Sequence, residues 1–153
     1  MPEAIVLFFD IGDTLAVPVL TAAGALDKLV VFPFVTDVLA RFRSATGPGG
    51  SPVRLGIISN TGTETLATMK KVLSDAGLLG FFEEGLLVFS SVEGVDKSKK
   101  EIFDRARTRA GVAAGRCVYV SESDLERNVA EKAGLRVSFH PLHAFHVLAT
   151  IAP

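Results

Sequence analysis

Asp10 stands directly after the apolar run Ala4–Phe9 and is followed at once by Gly12, Asp13 and Thr14. A carboxylate released at the end of a buried strand can ligate a cation or attack an electrophile. A second run, Val53–Ser59 (VRLGIIS), opens into Asn60-Thr61-Gly62, a turn rich in hydroxyl and amide groups. Lys97 precedes a helical pattern. Glu122 follows the run Cys117–Ser121, and Glu126 lies about one helical turn further on. In an open parallel sheet, ligands bind beyond the carboxyl ends of the strands. Acids from two strands, one lysine and a hydroxyl-bearing turn therefore converge on one edge, which equips it to hold a divalent cation and a phosphate together.

Each residue also has a plainer explanation. An Asp after a strand is often a turn or helix cap, and Ser59-Asn60 is a fair turn into a helix. Lys97 lies in the charge run Asp96–Lys100, normally a solvated face; its place just before Ser98, read as a helix cap, selects it over Lys99 and Lys100. Glu126 has two readings left open, a metal ligand or the acid of a Ser123–Glu126 capping box. Glu122, at the strand end, has no such structural excuse.

The elements that must position these groups alternate between short apolar runs and helical patterns, as in a parallel sheet built from βα units. Ala4–Phe9, Val53–Ser59, Gly85–Phe89, Cys117–Ser121 and Leu135–Phe139 read as five strands, continuous rather than alternating because both faces are buried. Helices are expected over Val35–Arg43, from Leu66 to a Gly77 cap, from a Ser98–Glu101 capping box to Gly111, from Ser123 to Gly134, and from Pro141 through Ala149. Thr46–Pro52 (TGPGGSP) reads as the one flexible loop.

The chain has 153 residues, which fits a single α/β domain spanning 1–153, and nearly half are hydrophobic. A net charge of -1 gives no reason to expect nucleic acid or an anionic membrane as a partner. No stretch approaches the roughly 20 apolar residues of a membrane helix, and the apolar run at the N-terminus lacks the features of a secretory signal. Cys117, the one cysteine, reads as an inert core thiol, and a cytoplasmic setting is expected. His140, His143 and His146 share a spacing of three that zinc sites use, but Phe139, Leu142 and Phe145 around them favour ordinary packing.

FFDIGDTL resembles the first motif of the haloacid-dehalogenase-like (HAD) superfamily, where an apolar strand ends in Asp-x-Asp-x-Thr. GIISNTG resembles the second motif, EGVDKSKKEIFDRA the third and CVYVSESDLERNVAEKAGLRV the fourth. The resemblance implies a HAD-like Rossmannoid three-layer sandwich around a parallel five-stranded sheet, with its strands in the order five-four-one-two-three. It implies a magnesium-dependent phosphatase in which Asp10 attacks phosphorus. Ser59, Asn60 and Lys97 would bind the phosphoryl group, and Asp10, the Gly12 carbonyl, Glu122 and Glu126 would surround Mg2+.

The departures from that family are informative. Gly12 stands where HAD phosphatases carry the aspartate that protonates the leaving group and activates water, an effect typically worth about 10²–10⁴-fold. Asp13 is one position late, where the family has Gly, and Ser121-Glu122 replaces Gly-Asp. About twenty residues separate Thr14 from the first helix; they suit a short flap and leave no room for a cap domain. The site is therefore expected to be open, covered by a large phosphorylated substrate or by a neighbouring subunit in a homo-oligomer. The alternative is a HAD-like binding or regulatory domain that has lost catalysis. Dehalogenation ranks third, because it needs a cap to exclude water and would leave Glu122 idle.

Overall fold

The computed structural model describes residues 2–153. Five parallel strands form the central sheet: β1 (Ile5–Phe9), β4 (Val53–Ser59), β5 (Leu87–Phe89), β6 (Cys117–Val120) and β7 (Arg136–Ser138), in the order β5-β4-β1-β6-β7. Read from the other edge, this is the order implied by the resemblance. β1 sits in the middle, in register with β4 (Phe9 opposite Ile57) and with β6 (Phe9 opposite Val120). Its five residues are fully buried, which explains the unbroken apolar run.

The side chains of β1 separate two cores. Ile5, Leu7 and Phe9 point to the face covered by α1 (Val35–Ser44), α2 (Leu66–Asp75) and α6 (Ala144–Thr150). Val6 and Phe8 point to the face covered by α4 (Lys100–Ala110) and α5 (Asp124–Lys132). The result is helix, sheet, helix, the expected three layers. Cys117 lies inside the second core, where burial pushes its thiol up to about 12.

The segment between Thr14 and α1 is an antiparallel hairpin of β2 (Ala16–Leu20) and β3 (Leu26–Val31). Its strands had no counterpart in the sequence reading beyond a short flap. A backbone bond from Phe32 to Leu15 (3.1 Å) fastens its base, and the Leu26 amide donates to Glu64 Oε1 (2.8 Å), fastening its tip to the loop before α2.

Several boundaries depart from the sequence reading. The expected Ser98 capping box is absent. α4 starts at Lys100 after Lys99, and no side chain caps it. Ser98 instead donates through its amide (2.8 Å) and its hydroxyl to Asp96 Oδ1, so a local turn outcompetes the cap. Ser123 does cap α5, accepting from the Glu126 amide (3.3 Å), but the Glu126 carboxylate does not return the bond. Pro141 lies in a turn, and α6 begins only at Ala144. One helical turn, α3 (Ser90–Glu93), was not expected. As expected, Gly111 closes α4 in the left-handed region (φ 71°).

Gly56, in the middle of β4, permits a close approach of the backbone to Phe8 and Leu86 in the second core. A Cβ there would lie 2.8 Å from Phe8 Cδ1 and from the Leu86 carbonyl oxygen. Gly56→Ala should therefore lower unfolding stability by about 1–3 kcal/mol. Gly80→Ala, where a Cβ would meet no heavy atom within 4 Å, should change it by less than about 1 kcal/mol. Urea denaturation of the two variants checks this.

Candidate active site

The carboxyl ends of β1, β4 and β6 open into a cavity of about 530 Å³ lined by Asp10, Gly12, Asp13, Ser59, Asn60, Lys97, Glu122 and Glu126, with the flap on one side. The residues singled out from the sequence for a phosphate or a cation therefore line one pocket, while His140, His143 and His146 lie outside it. The lining residues differ in how they are held.

Asp10 lies at the floor. It is the first residue past β1, and its amide donates to the Val120 carbonyl (2.9 Å), which ties it to the end of β6. Its Oδ1 accepts from the Ile11 amide (2.8 Å) and from Lys97 Nζ (2.6 Å), and its Oδ2 from the Ser121 hydroxyl (3.3 Å). Oδ2 is thus the less engaged oxygen.

Lys97 is the only buried member of the run Asp96–Lys100; its side chain is 2% exposed. The turn before α4 points it inward, although the cap that first singled it out does not form. Besides Asp10 it pairs with Glu126 Oε1 (2.7 Å), and its Nζ lies 5.7 Å from the centre of the Tyr119 ring. Glu126 also accepts from the Tyr119 hydroxyl (2.8 Å). The Glu126 carboxylate is thus turned toward a cation of the protein itself. Burial, and then the carboxylates of Asp10 and Glu126, push the Tyr119 hydroxyl well above its ordinary value, so it remains a donor.

The second strand contributes a braced turn. Ser59 is buried, while Asn60 is exposed at the pocket wall, its Oδ1 accepting from the Lys97 amide (2.9 Å). Thr61 is held by Ser90 and Ser91 of α3: its amide donates to Ser90 Oγ (2.8 Å) and its hydroxyl bonds Ser91 Oγ (2.6 Å). The unexpected helical turn therefore fixes the loop that carries Ser59 and Asn60.

Asp13 and Glu122 are exposed. Asp13 has φ 61°, a left-handed conformation rare for residues other than Gly, Asn and Asp. Its amide donates to the Ala16 carbonyl (2.8 Å) to close the turn into the flap. Asp13 nevertheless lines the pocket, held there through its backbone alone. The Glu122 amide donates to the buried Thr14 hydroxyl (3.2 Å).

The donors available to a cation are all oxygens, from Asp10, Glu122 and the Gly12 carbonyl, a set suited to magnesium rather than to softer metals. No three acidic, His or Cys side chains form a metal cluster among the described residues. With Glu126 committed to Lys97, an ion here would keep several waters, as magnesium commonly does.

Sequence reasoning missed Tyr119 and the part played by Ser121. The signal was present: Tyr119 is the only tyrosine, it lies in an apolar strand, and a buried tyrosine hydroxyl needs a partner.

No protein-family profile matches the sequence, and neither does any curated protein. Solved structures do match. A 2-haloacid dehalogenase from Pseudomonas syringae pv. Tomato DC3000 superposes with TM-score 0.71 at 15% identity, covering 98% of this chain and all of that one. A HAD-superfamily hydrolase, subfamily IA, variant 1, from Geobacter sulfurreducens PCA gives 0.68 at 13% identity over 95% of this chain and all of that one. A HAD phosphatase from Thermococcus onnurineus gives 0.60 at 20% identity over 78% of this chain and 59% of its own length. At these identities the likeness shows the fold: the chain has the α/β architecture of HAD-like hydrolases. No helix among the described residues is long and apolar enough to cross a membrane.

Burial pushes the Asp10 carboxyl above its ordinary range. Lys97 pulls the other way without overcoming this, and Glu126 adds to the rise. The folded chain therefore holds this proton more tightly than the unfolded chain. That contribution to stability is present at low pH and is lost as pH rises through the Asp10 titration. In metal-free protein, the ¹³C signal of the Asp10 carboxyl should titrate above the ordinary value of about 3.9, and higher still in Lys97→Met. A midpoint at or below that value would contradict the burial argument.

Proposed function

We propose that this chain hydrolyses phosphate monoesters through a covalent intermediate on Asp10, with magnesium as cofactor. The observation that carries the reading is Lys97, buried between Asp10 and Glu126 at the floor of an open pocket. A buried ion pair is a poor source of stability, because desolvating both charges offsets their attraction. Titratable groups gathered in this way in a cleft are more often found at functional sites.

In the proposed reaction Asp10 presents its less engaged oxygen, Oδ2, to phosphorus, while Lys97 holds Oδ1 and fixes the direction of attack. The Lys97 ammonium, the Ser59 hydroxyl and Asn60 stabilise the charge that develops on the phosphoryl oxygens. Ser121 positions the Asp10 carboxylate, and Glu126 positions Lys97. Asp10, Glu122 and the Gly12 carbonyl would hold magnesium, whose bound charge would offset that of the phosphoryl group.

Gly12 is the specific observation favouring a second reading, a binding or regulatory domain on the same fold, since it brings no acid or base to the site. The two readings diverge in one assay. Under the first, an activated aryl phosphate is hydrolysed, faster with magnesium, and Asp10→Asn abolishes turnover. Vanadate binding should be lost in Lys97→Ala and kept in Lys99→Ala. Vanadate binding without turnover of any ester would favour the second reading; equal behaviour of the two lysine variants would return Lys97 to a structural role.

A further inference from the structure

Above the charged floor, one wall of the pocket is apolar. Pro18 and Leu20 come from β2, Leu26 and Leu29 from β3, and Met69 from α2. The wall is fixed by the protein's own bonds, from the Leu26 amide to Glu64 Oε1 and from the Phe32 amide to the Leu15 carbonyl. Leu20 is nevertheless 59% exposed, an apolar side chain left beside a charged site. A hydroxyl-rich substrate body would find no partners on this wall and would lose its own hydration there. The rim carries the exposed carboxylate of Asp13, which disfavours a substrate bearing further anionic groups beside it.

The floor limits the leaving group. Gly12 has no side chain. Lys97 is engaged by two carboxylates, Glu126 by Lys97 and Tyr119, and Glu64 by the flap. Among the described residues, Asp13 and Glu122 make no side-chain hydrogen bond that would hold either over the site. No side chain is thus held in place to protonate a departing oxygen, which favours a leaving group that departs readily as its anion. An alkoxide does this poorly, since an alcohol is a far weaker acid than a phenol. A phenolate, with a parent pKa of about 10, does it far more readily.

Resting on the phosphatase reading, we infer that the substrate class is the monophosphate ester of a phenol, its ring lying against the flap wall and its phosphoryl group on Lys97. Asp10 Oδ2 forms a bond to phosphorus as the P–O(aryl) bond breaks; the phenolate leaves with the electron pair and takes a proton from bulk water. Water then attacks phosphorus, the P–O(Asp10) bond breaks, and inorganic phosphate leaves, the proton of the attacking water passing to solvent. No side chain activates that water, so the second step is slow and the intermediate accumulates.

Three esters separate the contributions: phenyl phosphate, cyclohexyl phosphate of similar size and apolarity, and glycerol phosphate. With magnesium, rapid-quench assays should show a burst of phenol approaching one equivalent per site. Alcohol release from the other two should be at least about 100-fold slower, the scale of the missing acid catalysis. Leu20→Asp should raise the KM for phenyl phosphate about tenfold. Gly12→Asp is sterically permitted, because a Cβ at Gly12 meets nothing closer than Pro18 at 3.9 Å. It should speed cyclohexyl phosphate cleavage and remove the phenol burst. Equal rates for the phenyl and cyclohexyl esters, or an unchanged KM in Leu20→Asp, would overturn the substrate class and leave the phosphatase reading standing. Inertness toward all three and toward p-nitrophenyl phosphate would overturn both.

Discussion

The site depends on keeping one ammonium out of water. Lys97 lies between Asp10 and Glu126 with almost no exposure, and removing one partner from such an arrangement typically costs about 3–5 kcal/mol. Three pieces of chain must meet to satisfy it. β1 supplies Asp10 at the centre of the sheet. β6 and the start of α5 supply Tyr119, Ser121 and Glu126. The turn before α4 supplies the lysine and, through its amide, orients Asn60. Each contact that neutralises Lys97 also fixes a group facing the pocket, so packing of the floor and orientation of the site are one constraint.

The same constraint explains the position of Glu126. As the third residue of α5 it could have closed a capping box with Ser123. Instead Ser121 accepts the Ser123 amide (3.1 Å), freeing the Glu126 carboxylate for Lys97 and Tyr119. Around this rigid floor the rest of the site is spare. Gly12 leaves room, Asp13 is spent on a left-handed turn, and the flap is an apolar wall rather than a lid. In the proposed mechanism, a firmly held Asp10 with no proton donor fixed beside it ties the chemistry to the nature of the leaving group.

The central sheet was readable because its inner strands β1 and β6 are buried on both faces and so appear as unbroken apolar runs, and because four short motifs fall in order at the strand ends. The gathering of Asp10, Ser59, Asn60, Lys97, Glu122 and Glu126 around one pocket followed from strand-end geometry. What escaped were features set by competition between local and tertiary bonds. Ser98 had the pattern of a cap, but Asp96 two residues earlier offered a nearer acceptor. Glu126 reads from the sequence as a metal ligand or a cap, whereas its carboxylate is turned to a buried lysine from another element. The flap strands lacked a legible alternation, with Pro18 in one and a bulge between Val19 and Leu20. Tyr119 was hidden inside an apolar strand, where a single hydroxyl barely alters the hydrophobic pattern.

The central claim is that Asp10 forms a covalent bond to phosphorus. It is tested most directly by mixing the protein with an aryl phosphate and magnesium, reducing with tritiated borohydride, which converts an aspartyl phosphate to homoserine, and mapping the label by peptide sequencing. The account predicts tritium in the peptide containing residue 10, dependent on the ester and absent from Asp10→Asn. Consumption of the ester with no label at residue 10, or with label at another acid, would contradict it.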